Sequence, residues 1–159
     1  MKTFIAQICV FVLFGICSLL YLSFGNGYGQ DKPVEPVLGE TYYSTILAKQ
    51  LNGVPEFRLF DQSRVDILTR DLALEVDWAG KSLKWAEAIG QTLYYARVTN
   101  RKPGVILLTT STTPSLAEQR NIHRCLVACS AINIPVWIAN VQDIEKENFD
   151  LFTTLRNLP

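Results

Sequence analysis

The chain has 159 residues, a length that fits one globular domain in addition to an amino-terminal segment. Its 15 basic and 15 acidic residues give a formal net charge of zero, which counts against tight non-specific binding to DNA. The sequence contains no glycine-rich phosphate-binding loop. The single histidine, His123, lies in no recognisable motif, which argues against Ser/His or Cys/His catalysis.

Residues 4–24 form a nearly unbroken apolar run, and no charged residue occurs between Lys2 and Asp31. The hydrocarbon core of a bilayer, about 30 Å thick, requires a run of this length, whereas the apolar part of a secretory signal has roughly 7–15 residues. We therefore predict one amino-terminal transmembrane helix, with a cleaved signal peptide as the alternative. Lys2 favours a cytoplasmic amino terminus, which places the rest of a single-pass protein outside the cytoplasm. Residues 25–38 then form a linker, and residues 39–159 form the domain.

Hydrophobic periodicity and turn residues predict the order of elements in the domain. The pattern gives a helix at 40–51, a strand at 56–60, two strands around Arg70-Asp71, a helix from Lys84, a strand at 105–110, a helix at 114–131, a strand at 135–141 and a helical tail from 143. The order α-β-β-β-α-β-α-β predicts an α/β fold in which a mixed central sheet has helices on both faces.

The two strands around Arg70-Asp71 contain acidic residues where a half-buried strand usually has none. A two-residue turn places Asp66 directly opposite Glu75. Their Cβ atoms are then about 4.5–5.5 Å apart, a distance at which like charges destabilise a sheet. A divalent cation accounts for such a pair, because hard metal ions bind carboxylate oxygens. The alternative is a different register, with each carboxylate solvated at a sheet edge. In the register that we prefer, Arg64 faces Asp77, and we expect these two to form an ion pair.

The helix that begins at Lys84 has two distinct faces. Its apolar spacing predicts a buried stripe made of Trp85, Ala88, Ile89, Thr92 and Ala96. An adjacent face carries Lys84, Glu87, Gln91 and Tyr95 at offsets of three and four residues. These residues are consistent with the solvated side of an amphipathic helix, and for Glu87 we prefer that interpretation.

Over about residues 38–141 the chain resembles the PD-(D/E)xK nuclease superfamily, in particular its RecB-like and Holliday-junction-resolvase-like members. In that superfamily an Asp ends one strand, a Glu or Asp lies on the next strand, and a Lys follows two residues later. Arg64-Val-Asp66 is similar to the first element and Glu75-Val-Asp77 to the second. Gln91-x-x-x-Tyr95 is similar to a helix motif of the RecB-like branch, and Glu40 matches a Glu on the first helix. The segment resembles still more closely a group of bacterial proteins with the signature R-V-D…E-x-D…K-W-x-E-A-I-G-Q-x-L-Y-Y-A.

The resemblance implies a restriction-endonuclease-like fold and a nuclease, endo- or exo-acting, that depends on Mg²⁺ or Mn²⁺. It implies nucleic acid as the partner, DNA in preference to RNA. Asp66 and Glu75 would hold the metal, with Glu40 completing its shell. Lys84 would stabilise developing negative charge, and Gln91 would orient the lysine or the attacking water.

One departure from the superfamily pattern concerns the lysine of the second strand. Asp77 occupies its position. Lysines displaced onto the following helix are known in the superfamily, which makes Lys84 the substitute and Lys81 the second choice. The missing strand lysine and the neutral net charge support an alternative function, a membrane-tethered binding module that keeps the nuclease fold without its chemistry. The oligomeric state is left open.

Overall fold

The computed structural model describes residues 38–146; the predicted membrane segment (4–24), most of the linker and the tail after 146 lie outside the described residues. The helices are α1 (Glu40–Gln50), α2 (Lys84–Thr99), α3 (Leu116–Ser130) and α4 (Val141–Glu145). The strands are β1 (Val54–Arg58), β2 (Arg64–Leu68), β3 (Leu72–Trp78), β4 (Lys102–Thr109) and β5 (Val136–Asn140). None of the helices among residues 38–146 has the length and apolar character needed to cross a membrane.

The strands form one five-stranded sheet in the order β1-β2-β3-β4-β5. β2 pairs antiparallel with both β1 and β3, whereas β4 and β5 run parallel to β3. The sheet is therefore mixed, as predicted, and the order of helices and strands agrees with the prediction. The first strand spans Val54–Arg58 rather than residues 56–60; it ends early because the chain already turns at Leu59, whose backbone amide donates to the Ser63 carbonyl.

Helices cover the sheet on both faces, because side chains of successive strand residues point to opposite sides. On one face, α1 and α4 pack on the strands through Tyr43, Leu47, Ala48, Ile67, Leu74, Val76, Trp78, Ile106, Leu108, Trp137, Ala139 and Ile144. On the other face, the core near α3 consists of Ala79, Ala88, Val105, Leu107, Ile122, Cys125, Cys129, Ile134 and Val136. A smaller cluster beside α2 consists of Leu59, Val65, Ala73, Tyr95 and Ala96.

The position of α2 over β3 and β4 is fixed by a buried polar contact. The Thr92 hydroxyl lies 2.8 Å from the Ala73 carbonyl and accepts a hydrogen bond from the Gly104 amide at 3.0 Å. Gly104 has no room for a side chain, since an added Cβ would lie 2.6 Å from Trp137 Cζ3. This contact holds the middle of α2 against the starts of β3 and β4.

Candidate functional site

The turn between β2 and β3 has the register that its sequence predicts. Leu68 faces Ala73 and Ile67 faces Leu74. The regular pairing stops there, and Asp66 and Glu75, the next residues of the two strands, have neighbouring carboxyl groups. Because alternate residues of β3 share a face, Glu75 and Asp77 lie on the same side as Ala73, which packs beside α2. The acidic residues therefore project between the sheet and α2.

Asp66 lies where β2 bends away from β3. Its Oδ2 accepts a hydrogen bond from the backbone amide of Val76 at 2.8 Å. Residues two apart in a straight strand share a face, yet Val65 packs beside α2 while Ile67 packs in the core beneath α1. On the neighbouring strand, Glu56 has a φ of 50°, a left-handed conformation that non-glycine residues rarely adopt. The bend turns the Asp66 carboxylate toward β3.

Glu75 is the most strongly perturbed acid of the group. Its side chain is only 6% exposed, and its Oε1 has no hydrogen-bond partner among residues 38–146. Burial raises the pKa of Glu75 to about 10, with further contributions from the Asp66 carboxylate and from Asp77. Burial also raises the pKa of Asp66, although the hydrogen bond from Val76 opposes the shift. Without a cation, a proton therefore stays on Glu75 at neutral pH.

The predicted ion pair between Arg64 and Asp77 is wrong. Arg64 Nη1 instead bonds to Glu56 Oε2 at 2.8 Å. The bend of β2 accounts for the difference, since it turns Arg64 toward β1 and away from β3. Asp77 is 7% exposed, and its Oδ1 accepts a hydrogen bond from the Trp78 amide at 2.8 Å. Burial, followed by the charge of Glu40, raises the pKa of Asp77 to about 7.

Glu40 lies beside Asp77 rather than beside the Asp66–Glu75 pair. It is the first residue of α1, and its Oε1 accepts a hydrogen bond from Lys81 Nζ at 2.8 Å. Its influence on Asp77 includes a hydrogen bond as well as its charge. The structure therefore brings Glu40 to the site through Asp77, a residue that the sequence analysis had assigned to an ion pair.

Lys84, Glu87 and Gln91 form a chain of contacts along α2. Lys84 Nζ donates to Glu87 Oε2 at 2.7 Å, and Gln91 Nε2 donates to Glu87 Oε1 at 3.4 Å. The Lys84 charge lowers the pKa of Asp77, so the ammonium is within electrostatic range of that carboxyl group. Its direct partner is nevertheless Glu87. Leu83, which precedes the helix, has a φ of 62° and sets the direction in which α2 leaves the loop.

Tyr95 lies near the acidic pair. The sequence analysis had placed this residue on the polar face of α2. It is buried, and burial together with the charges of Glu75 and Asp66 raises its pKa. The sequence does indicate that Tyr95 is buried. It follows Ala88 and Thr92 at a spacing of three to four residues and so continues the buried stripe of α2.

The residues fit a hard cation only in part. Within residues 38–146, no set of three His, Cys, Asp or Glu side chains is arranged to hold a metal ion by itself. Mg²⁺, however, is usually bound by one or two carboxylates and keeps several waters. The unpartnered Oε1 of Glu75, facing Asp66, matches that requirement. Searches against family models, curated proteins and solved structures find no match to this chain.

Proposed function

We propose that this chain is a phosphodiesterase that depends on Mg²⁺ or Mn²⁺ and cleaves nucleic acid, DNA in preference to RNA. The observation that carries the proposal is the Glu75 carboxyl group, which is buried, faces Asp66 and has an oxygen without a partner among the described residues. A buried carboxylate destabilises a fold unless it is protonated, paired or bound to a metal, and a cation that displaces the Glu75 proton would satisfy its open oxygen. The α/β architecture and the sequence resemblance support a restriction-endonuclease-like fold.

Each site residue has a role in this proposal. Asp66 and Glu75 would hold the metal ion, whose chemistry there would be to polarise the phosphate and to activate a water. Glu40 and Asp77 supply additional negative charge on the same side of α2. Lys84 stabilises the charge that develops on the phosphate once its ammonium leaves Glu87, and Gln91 orients the lysine or the water.

We further propose that residues 4–24 tether the domain to a membrane as a single-pass anchor, with the domain outside the cytoplasm. This placement separates the domain from chromosomal DNA. The nucleic acid that it meets there would be external or released from lysed cells.

The experiment is a cleavage assay on the full-length protein in a mild detergent, with labelled single-stranded DNA, duplex DNA and RNA. Wild type should cleave in Mg²⁺ or Mn²⁺ and not in EDTA. Glu75→Gln keeps the shape of the side chain and removes the charge, so it should lower the rate at least about 100-fold, beyond the 10–100-fold cost of losing an outer-shell partner. Asp71→Asn, at the exposed turn, is the matched control and should cleave as wild type does.

A second candidate is an inactive binding module with the same fold. It is favoured by the contact between Lys84 and Glu87, which leaves no lysine bonded to the acidic pair among residues 38–146. Metal binding without cleavage of any of these substrates would establish this alternative.

A further inference from the structure

The turn between β1 and β2 carries an unusually exposed aromatic side chain. Phe60 is 82% exposed, the largest value among the large hydrophobic residues that the structure describes. Its neighbour Leu59 is buried against Tyr95 and Ala96 of α2. The turn is thus anchored on α2, while the Phe60 ring points into solvent and contributes little to packing. Single exposed apolar residues are common, so the surroundings of Phe60 decide its significance.

A second exposed aromatic side chain is tied to the same turn. The Tyr94 hydroxyl of α2 donates a hydrogen bond to the carboxylate of Asp61, the residue after Phe60. Asp61 also accepts hydrogen bonds from the Ser63 amide at 3.0 Å and the Ser63 hydroxyl at 2.7 Å. These contacts fix the turn against the helix. Because Phe60 precedes Asp61, this contact brings two exposed aromatic side chains, Phe60 and Tyr94, to the same part of the surface, which we call the aromatic platform.

Two arginines flank the aromatic platform. Arg58 ends β1, and its Nη1 donates to a neutral acceptor, Gln62 Oε1, at 2.9 Å. Arg97 is exposed and follows Tyr94 by about one turn of α2. Neither arginine takes part in an ion pair within residues 38–146. The carboxylate of Asp61, by contrast, is already engaged by Ser63 and Tyr94.

The aromatic platform is continuous with the candidate site. The rings of Tyr94 and Tyr95 have centroids 5.6 Å apart, and Tyr95 lies beside Glu75 and Asp66. Along β2, Asp66 is two residues from the start of the strand, or about 7 Å of extended chain. A polymer bound at the turn therefore has a short path to the acidic pair.

We propose that Phe60 and Tyr94 stack on unpaired bases of a nucleic-acid strand, while Arg58 and Arg97 bind its phosphates. This inference rests on the proposed function and narrows its substrate to single strands, or to duplexes with unpaired ends. Aromatic rings in a positively charged surface are how proteins bind single strands, because every base offers a face for stacking. An apolar protein partner fits less well, since the cores of such interfaces are depleted of charge.

The test is fluorescence anisotropy of labelled oligothymidylate and of a blunt duplex, bound to the full-length protein in a mild detergent and EDTA. Phe60→Ala should weaken binding of the single strand at least about fivefold, the lower range for loss of one stacked base. Phe60→Leu should weaken it equally, because leucine is apolar without a ring, whereas Phe60→Trp should bind as wild type does. Arg97→Gln should reduce the slope of log affinity against log salt by about one.

A matched control separates stacking from the general loss of an exposed apolar side chain. Leu116→Ala removes another exposed apolar side chain, 68% exposed at the start of α3, and should have no effect. Tight binding by Phe60→Leu, or equal affinity for the blunt duplex, would overturn the proposal. So would an effect of Phe60→Ala confined to phosphatidylglycerol vesicles, which would indicate a membrane surface instead.

Failure of this inference can be distinguished from failure of the proposed function. If Glu75-dependent cleavage occurs and Phe60→Ala binds and cleaves single strands like wild type, only the aromatic platform is refuted. If wild type cleaves nothing but binds single strands in a ring-dependent manner, the enzymatic proposal fails and the aromatic platform stands.

Discussion

Asp66 Oδ2 accepts a hydrogen bond from the backbone amide of Val76 at 2.8 Å, so a side chain of β2 replaces a backbone partner for β3. The regular pairing of the two strands extends as far as Ile67 and Leu74. Beyond that pair the strands open, and Glu75 is buried with one oxygen unpartnered among the described residues. The local break in the sheet thus brings two carboxyl groups together, and under the proposed function a cation would bind between them.

Asp66→Asn should abolish metal binding without weakening the metal-free protein. Asparagine keeps an acceptor for the Val76 amide and removes a carboxylate whose burial is unfavourable, so the melting temperature without metal should be unchanged or higher. Millimolar Mg²⁺ or Mn²⁺ should raise the melting temperature of wild type, since a ligand present at 100 times its Kd stabilises the native state by about 2.7 kcal/mol. Thermal denaturation with and without metal measures both effects.

The control for this experiment is Asp71→Asn, which removes an exposed acid at the adjacent turn. It should show the same metal-induced shift as wild type. A shift that persists in Asp66→Asn would mean that the cation binds elsewhere.

The metal-free protein should lose stability as the pH rises. The pKa of Glu75 is about 10 in the folded chain against an ordinary value of 4.5, so between these pH values the folded state keeps a proton that the unfolded state has released. The contribution of this proton to the free energy of unfolding is complete below the ordinary pKa of 4.5. It is lost as the pH rises toward the folded pKa of about 10, by about 1.4 kcal/mol per pH unit. Asp77, with a pKa of about 7, adds to the loss below neutral pH. Urea denaturation from about pH 5 to about pH 9 measures this dependence.

Glu75→Gln is neutral at every pH, so its stability should vary less over the same range and should exceed that of wild type at the alkaline end. Mg²⁺ should bind wild type more tightly as the pH rises, because binding must displace the proton from Glu75. A pH dependence identical in wild type and Glu75→Gln would show that Glu75 ionises normally.

The sequence predicts the central part of the fold because its signals there are local. Arg70 and Asp71 form a two-residue turn, and side-chain alternation then fixes the register of Leu68 with Ala73 and Ile67 with Leu74, which brings Asp66 next to Glu75. The mixed sheet and its helices follow from the order of elements, which depends on periodicity within each segment. Boundaries are less well predicted, as at Leu59, where a turn hydrogen bond ends β1 earlier than its apolar pattern suggests.

The site depends on contacts that the order of elements does not specify. Arg64 pairs with Glu56 because β1 lies beside β2 and β2 bends. The bend is accompanied by a left-handed backbone at Glu56, a conformation that a glutamate in the sequence does not predict. Because Arg64 turns toward β1, the buried Asp77 lacks the arginine that was expected beside it. The position of Glu40 near Asp77 depends on where α1 begins over the sheet. Such packing is set by the whole domain rather than by neighbouring residues.

Thr92→Val should destabilise the domain more than its small change in shape suggests. The Thr92 hydroxyl accepts from the buried Gly104 amide and lies 2.8 Å from the Ala73 carbonyl. Loss of the hydroxyl leaves buried backbone groups unpaired, at a cost of about 1–3 kcal/mol. Urea denaturation measures this cost, with Thr45→Val on the exposed side of α1 as the control, expected to fall within about 0.5 kcal/mol of wild type. Equal stabilities for the two variants would contradict the role given to Thr92.

The apolar run at residues 4–24 should keep the full-length protein in the membrane fraction after a high-salt wash. A span of about 20 apolar residues inserts through the hydrophobic effect, which salt does not weaken. Fractionation followed by amino-terminal sequencing tests this. Recovery as a soluble species trimmed at its amino terminus would favour a cleaved signal peptide.

Lys84→Ala should lower metal-dependent cleavage by a factor of about 10² or more, the cost of removing a donor that stabilises developing charge. The fold should be nearly unaffected, because the exposed ion pair of Lys84 with Glu87 is worth about 0.3–0.5 kcal/mol. Lys81→Ala is the matched comparison and should have the smaller effect on the rate, since Lys81 is bonded to Glu40 and precedes α2. Single-turnover cleavage rates and melting temperatures of the two variants measure the difference.

Glu87→Gln tests whether Lys84 acts on the phosphate or only stabilises α2 through its ion pair with Glu87. Because Lys84 Nζ donates to Glu87 Oε2 at 2.7 Å, the ammonium must leave Glu87 to reach a phosphate beside Glu75. Glu87→Gln weakens that contact, so it should leave the cleavage rate unchanged or raise it. If the ion pair had only a structural role, Glu87→Gln and Lys84→Ala would both lower the rate. Equal cleavage by wild type and Lys84→Ala would show that another group stabilises the phosphate. Metal binding by wild type without any cleavage would identify Lys84 as an ordinary surface residue of a binding module.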